Sequence, residues 1–410
     1  MGIRQLCSFA ALCTSLASLS SGAVVVDVHP LHGSTNSESF NNMGQASRER
    51  AASLLATAGT GDVPIVNMFA AYAMSIGVGD PATNYTVIID TGSSNTWVGA
   101  TKPYVTTETS ISTGEGINIT YGSGVVLGKE WLDTVTLASG LIIHNQSIGA
   151  ASNATGFAPF EGIIGLGPTS DTNRTVFNET TGSFINGTIP TVMDNALAQG
   201  VIDTEVLGVS FSPITGNNSN SSINGQLSFG GIDQSRLVGD VTYTPRTSKW
   251  PASRYWGIDA NLTYGQTALG NDSSNSGIVD TGTSVVVIAD DLYDIYLDAI
   301  PGAYYDNVTQ LTAIPLDSVS SLQNFTVYIS GEPFVLDAVT QLLPADQNVE
   351  AGGVVGLRYS YITPLGWNTT SGLFDWVLGM KFLERYYAVF DTQNNQVGLA
   401  YTNHTFAAVS

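Results

Sequence analysis

Two short runs of the chain place a carboxylate in the same setting. Val87-Ile88-Ile89-Asp90-Thr91-Gly92-Ser93-Ser94 is echoed 190 residues later by Gly277-Ile278-Val279-Asp280-Thr281-Gly282-Thr283-Ser284. In each, an apolar, strand-like pair leads into Asp, and a small hydroxyl-bearing turn follows. One Asp-Thr-Gly says little, because such tripeptides close many strands. Two in the same frame form a pattern. A carboxylate at the end of a buried strand can be aimed into a cleft, and glycine lets the backbone approach closely. If two such ends meet, both acids cannot ionise cheaply: one pKa is pushed up, and the pair holds a single proton over a range of acidic pH. One carboxylate can then take a proton from water while the protonated partner polarises a carbonyl. The chemistry is hydrolysis without metal, thiol or imidazole.

Composition closes most other routes. The only cysteines are Cys7 and Cys13, and the only histidines are His29, His32, His144 and His404, so neither a thiol nucleophile nor a His-rich metal site is expected beyond the N-terminus. A Ser-His-Asp triad would need an isolated histidine without any Gly-x-Ser-x-Gly elbow. Lys and Arg number 13 against 34 Asp and Glu, giving a net charge of −21 with the cations scattered. This argues against nucleic acid, which needs a concentrated basic face, and against anionic membranes. No metal or cofactor is expected.

The elements that must position the two acids follow from patterning. Arg4, the apolar run 6–19 and the small residues Ser21-Gly22-Ala23 read as a secretory signal over 1–23, the run being shorter than the roughly 20 residues of a membrane span. Residues 24–60, rich in Ser, Ala and Asn and containing Arg48-Glu49-Arg50, read as a removable pro-segment. Beyond it, Val, Ile, Thr and Tyr recur in short runs between Gly, Asn, Ser and Pro, at 85–90, 117–121, 134–137, 227–229 and 325–329, which is mainly-β patterning. Helices are expected at 190–198 and 290–300. The stretch after residue 60 exceeds what one core usually sustains, so two lobes are expected, 61–240 and 241–410, each contributing one acid. Fifteen of the 27 asparagines stand in Asn-x-Ser/Thr, where chance would give about five or six, which suggests a glycan-coated extracellular protein. Asn118 and Asn145 fall in strand-like runs and are expected to be poor acceptors.

On these residues, from about 65 to 402, the chain resembles the pepsin-like aspartic proteases, in particular their secreted fungal branch. The motifs are Asp90 through Trp97, Asp280 through Ser284, Tyr121-Gly122-Ser123-Gly124, Ile163-Ile164-Gly165, Val377-Leu378-Gly379, and the run 386–400. The resemblance implies a mainly β, bilobal fold with lobes related by a pseudo-two-fold axis, and a zymogen-derived acid endopeptidase that acts as a monomer on protein and peptide substrates. It implies that Asp90 and Asp280 are the catalytic pair, supported by Thr91, Gly92, Ser93, Thr281, Gly282 and Thr283. Tyr121, with Gly122 and Ser123, would form a flap whose hydroxyl reaches the Trp97 indole. Ile88, Phe160, Ile163 and Ile278 would line apolar pockets and favour bulky apolar residues beside the cut.

Two departures from the family pattern stand out. Met380 replaces a usual Asp after Gly379, and is expected to alter the pH profile. No lysine precedes Lys102, so Arg48 or Arg50 is the candidate cation by which the pro-segment blocks the acids. A catalytically dead homologue would usually lack an acid or the flap tyrosine. A two-carboxylate glycosidase leaves the repeated motif without a reason. Gly77-Val78-Gly79-Asp80-Pro81 superficially fits a dinucleotide fingerprint but reads as a hairpin turn, since a strand follows.

Overall fold

The computed structural model describes residues 23–32, 43–54, 70–121, 124–213, 224–270, 275–349 and 351–407. Almost all of the expected signal, both cysteines, residues 33–42 and 55–60 of the expected pro-segment, and Gly122 and Ser123 lie outside them.

The architecture is mainly β and bilobal. Among the described residues the strands form sheets of fourteen, eight and three. The largest runs without a break from the N-terminal half into strands from the C-terminal end. Val206–Phe211 pairs antiparallel with Tyr386–Asp391, which pairs in turn with Gln396–Tyr401. The last strands of the chain thus cross back onto the first half.

Each acid sits at the end of a strand buried on both faces. In Thr83–Asp90 the alternation of exposed and buried positions gives way to continuous burial from Val87 to Asp90, as expected where a strand enters a covered parallel arrangement. It runs parallel to Gly162–Gly165, with Ile88 opposite Ile163 and Asp90 opposite Gly165. The second half repeats this: Asn275–Val279 runs parallel to Trp376–Leu378, with Ile278 opposite Val377. Gly165 and Gly379 allow the crossing, because a Cβ on either would fall 2.4 Å from Ser94 or 2.2 Å from Val285 backbone.

The expected strands are present, generally longer: 117–121 lies within Ile111–Tyr121 and 134–137 within Gly124–Ala138, while Phe325–Ile329 has the expected bounds. The two expected helices are present as Val192–Ala198, capped by Thr191, and Asp290–Asp298. Gly79, at φ +88°, turns the hairpin between Ala70–Val78 and Thr83–Asp90.

Within 24–60, the described residues 24–32 and 43–54 form a strand and a helix. Val24–His32 is a strand within the large sheet, pairing with Gly225–Phe229 on one side and residues 70–73 on the other. Met43–Ser53 is a helix, built of residues that favour one, with a Gln45–Glu49 side-chain bond of 2.8 Å one turn apart. Its buried positions are Met43, Ala46, Ser47, Arg50, Ala51 and Leu54 just beyond it, a stripe at helical spacing. Gly44 must be glycine, because a Cβ there would lie 1.9 Å from the Gln310 carbonyl oxygen.

Candidate active site

The two Asp-Thr-Gly turns meet face to face. The Thr91 backbone N–H donates to the Thr281 hydroxyl at 3.0 Å, and the Thr281 N–H to the Thr91 hydroxyl at 3.0 Å. Each hydroxyl donates across to the opposite strand: Thr281 to the Ile89 carbonyl at 2.9 Å and Thr91 to the Val279 carbonyl at 3.3 Å. Four reciprocal bonds between fully buried groups fix the spacing of the acids.

The carboxylates are held in matching ways. Asp90 accepts from the Gly92 N–H at 3.0 Å and the Ser93 hydroxyl at 2.5 Å; Asp280 accepts from the Gly282 N–H at 2.8 Å and the Thr283 hydroxyl at 2.7 Å. A Cβ on Gly92 would lie 2.5 Å from an Asp280 carboxylate oxygen, and a Cβ on Gly282 2.5 Å from one of Asp90. Both glycines are therefore required for the acids to share one site. Asp90 is 1% and Asp280 0% exposed.

Between them lies the guanidinium of Arg50, 2% exposed. Its Nη2 is 2.5 Å from Asp90 and its Nε 3.2 Å from Asp280. Burial alone would lower its pKa, but the attraction of Asp90 and Asp280 outweighs this and raises it above the ordinary arginine value. Burial pushes the Asp90 carboxyl up to about 6; Arg50 pulls against this and Asp280 adds to it. Of the two candidate cations, Arg50 alone sits on the acids. Arg48 bonds instead to Tyr305 and Gln310.

Tyr121, 1% exposed, accepts the Trp97 indole N–H at 2.9 Å as the sequence suggested. Phe157 packs edge-on against both rings, and the Arg50 guanidinium lies 5.8 Å from the centroid of the Tyr121 ring. Ile88, Phe160 and Ile163 belong with Trp97 and Tyr121 to one buried cluster. Ile278 does not join them, packing in the larger core with Val377. Met380, 2% exposed, also packs in that core while its N–H donates to the Thr283 carbonyl at 2.7 Å.

Sequence reading missed several neighbours. The helix carrying Arg50 is fastened by Ser47, whose hydroxyl accepts the Val285 N–H at 3.2 Å, and by the Tyr255 hydroxyl donating to the Leu54 carbonyl. Asp171 bonds Arg254 at 2.7 Å, and burial pushes its carboxyl up to about 7 against the pull of Arg254 and Arg50. These partners are 83 residues apart, and no local motif signals them.

This fold and this paired turn define the eukaryotic aspartyl proteases, whose family model matches residues 71–402; the chain belongs to that family and is a pepsin-like aspartic endopeptidase acting on protein or peptide substrates. It is 45% identical to polyporopepsin of Irpex lacteus over 347 residues, covering 85% of this chain and 98% of that protein. It is 32% identical to gastricsin of Mus musculus over 356 residues, 82% of each chain. The crystal structure of the aspartic proteinase from Irpex lacteus superposes with a TM-score of 0.79 at 40% identity, covering 95% of this chain and all of that one.

Proposed function

We propose that the chain is exported as a zymogen, with 1–23 as leader and 24–60 as an inhibitory pro-segment. The mature enzyme, with lobes at 61–240 and 241–410, is an acid endopeptidase using Asp90 and Asp280. The observation that carries this reading is the pair of carboxylates at matched strand ends, buried together and gripped by Arg50.

In the mature enzyme the site of the guanidinium is left to substrate and water. Two carboxylates this close share one proton in acidic solution, since burial and the charge of Asp280 both raise the Asp90 carboxyl. The ionised partner takes a proton from water as the water oxygen bonds to the peptide carbonyl carbon, and the protonated acid gives its proton to the carbonyl oxygen. The tetrahedral diol then collapses. The C–N bond breaks, the amine nitrogen receives a proton from the dyad, and the new carboxyl leaves. Thr91 and Thr281 hold the acids apart; Ser93 and Thr283 orient their oxygens. Tyr121, positioned by Trp97, closes over the peptide with Gly122 and Ser123. Ile88, Phe160 and Ile163 receive apolar side chains, so bulky apolar residues are preferred beside the cut. The enzyme works as a monomer.

Export fits the acceptor asparagines. Asn217, Asn220 and Asn271 lie outside the described residues; of the other twelve, all are exposed except half-buried Asn178. Asn118 and Asn145, expected to be poor acceptors, are on exposed faces of their strands. Among the described residues no helix is long and apolar enough to cross a membrane.

The test is Asp90→Asn and Asp280→Asn, made separately and assayed on denatured protein at acidic pH after removal of the pro-segment. Each is expected to lose at least about 10³-fold in kcat with far-UV circular dichroism retained. Cleavage at the parental rate by either variant rejects the dyad, and hydrolysis of polysaccharide but not protein rejects the peptidase reading.

A further inference from the structure

The helix that blocks the acids carries a second cation, and the place where it rests is built by the enzyme body. Arg48 Nη1 donates to the Tyr305 hydroxyl and, at 3.2 Å, to the Gln310 side-chain carbonyl, while its guanidinium lies 5.3 Å from the Tyr305 ring centroid. Tyr305 and Gln310 flank one tight turn between Tyr304–Asp306 and Leu311–Pro315. Asp306 fastens that turn, accepting the Val308 N–H at 3.0 Å and the Thr309 hydroxyl at 2.9 Å. Gln310 is held at φ +58°, and its backbone carbonyl accepts the Thr363 hydroxyl at 2.9 Å. Its side-chain amide is committed to the Asn307 carbonyl at 2.7 Å, which leaves its carbonyl oxygen turned to the notch. Tyr305 donates its own hydroxyl to that oxygen, so its lone pairs also face a donor.

Half-buried Asp290 stands at the edge of this recess, its carboxylate accepting the Gly366 N–H at 2.7 Å; burial raises its carboxyl, and that bond and then Arg48 draw it back down. Among the charges that the enzyme body turns toward Tyr305 are those of Asp306 and Asp290, both negative. The recess continues along Leu365 and Trp367, beneath the helix. An aromatic face, two oriented acceptors and nearby carboxylates suit a guanidinium or ammonium group.

The geometry points to a subsite for a cationic side chain of the substrate, formed by Tyr305, Gln310 and Asp290, with Arg48 as its occupant in the pro-form. This rests on the endopeptidase reading. It adds a second preference to the apolar one: Arg or Lys a few residues from the scissile bond, reinforced by a net charge of −21 that attracts basic segments.

The experiment uses the acid-activated enzyme and a fluorogenic peptide with an apolar pair at the cut. Arg, its uncharged isostere citrulline, and Leu are placed in turn at each flanking position. At one position Arg should exceed citrulline by about tenfold in kcat/KM, the effect of one charged hydrogen-bonding group. That ratio should fall toward one in Gln310→Leu and in Tyr305→Phe, the latter retaining the ring. Cleavage of the Leu peptide with no position favouring Arg would make the notch an anchor for the pro-segment only, overturning the subsite while the peptidase stands. A preference unchanged in both variants also overturns it. Failure to cut any peptide removes both readings.

Discussion

Replacing Arg50 by Ala tests the link between the helix Met43–Ser53, the proposed pro-segment, and the acids. The guanidinium is 2% exposed and contacts two carboxylates of 1% and 0% exposure, at 2.5 and 3.2 Å. Removing one member of a buried ionic cluster costs about 3–5 kcal/mol, because the charges left behind stay desolvated. Here the acids can recover part of that by sharing a proton. The lower figure, about 3 kcal/mol, corresponds to about a hundredfold shift toward the undocked helix. A statine-containing peptide, which competes for the acids, reads this shift. When only the undocked fraction binds, apparent affinity rises in proportion to it, so the R50A pro-form should bind about a hundredfold tighter than the parent. Titration calorimetry near neutral pH, with gels confirming an intact chain, measures it; Arg50→Lys, which keeps a charge, should lie between the two. The sign with pH is also set. Docked Arg50 pairs with both carboxylates, at 2.5 and 3.2 Å, and protonating the acids removes that pairing, so acid opposes docking. Acid should therefore tighten inhibitor binding to the parent pro-form and do so less in R50A. Parental affinity in R50A would refute the reasoning and leave Ser47, Arg48 and the Tyr255–Leu54 bond as what holds the helix.

Two other outcomes follow from the geometry. Burial raises Asp90 and Asp375 to about 6, and Asp171, Glu130 and Glu205 to about 7; stabilisation from such groups is complete below their unfolded values near pH 4 and is lost as pH rises through 6 to 7. Tm followed by circular dichroism should thus decline from about pH 4 to above neutrality, and a flat or rising profile would refute this. Tyr121→Phe leaves the buried Trp97 N–H without its 2.9 Å acceptor, and should lower kcat/KM about tenfold while sparing most of the stability; an unchanged kcat/KM would show that the bond does not position the flap.

The paired acids were legible because everything that orients them lies within a few residues of each Asp: the hydroxyl three residues on, the glycine two on, the threonine next door. The fold was legible for a related reason, since turn residues punctuate strands locally. The pro-segment helix was not. Its buried stripe includes Ser47 and Arg50, so no apolar period marks it. For the same reason Arg48 and Arg50 could not be told apart: residues two apart on a helix face different ways, and only the fold shows which reaches the acids. The strand Val24–His32 has a visible alternation, with Val26 and Val28 buried and Val25 and Asp27 exposed, yet its pairing with residues 225–229 is a long-range fact. Ile278 was grouped with the pocket residues because a strand covered on both faces gives no sign of which face a side chain takes.

That strand has a consequence for the proposed removal of residues 24–60. Val24–His32 is an interior rib of the largest sheet, hydrogen-bonded on both flanks. Cutting the chain after residue 60 would not shave off a tail. It would pull out a rib and leave two raw edges, at 70–73 and 225–229, each a template for stray pairing. Unless another stretch of the protein took that place, both edges would stay open. A chain synthesised without its first sixty residues would have to complete the sheet without that rib.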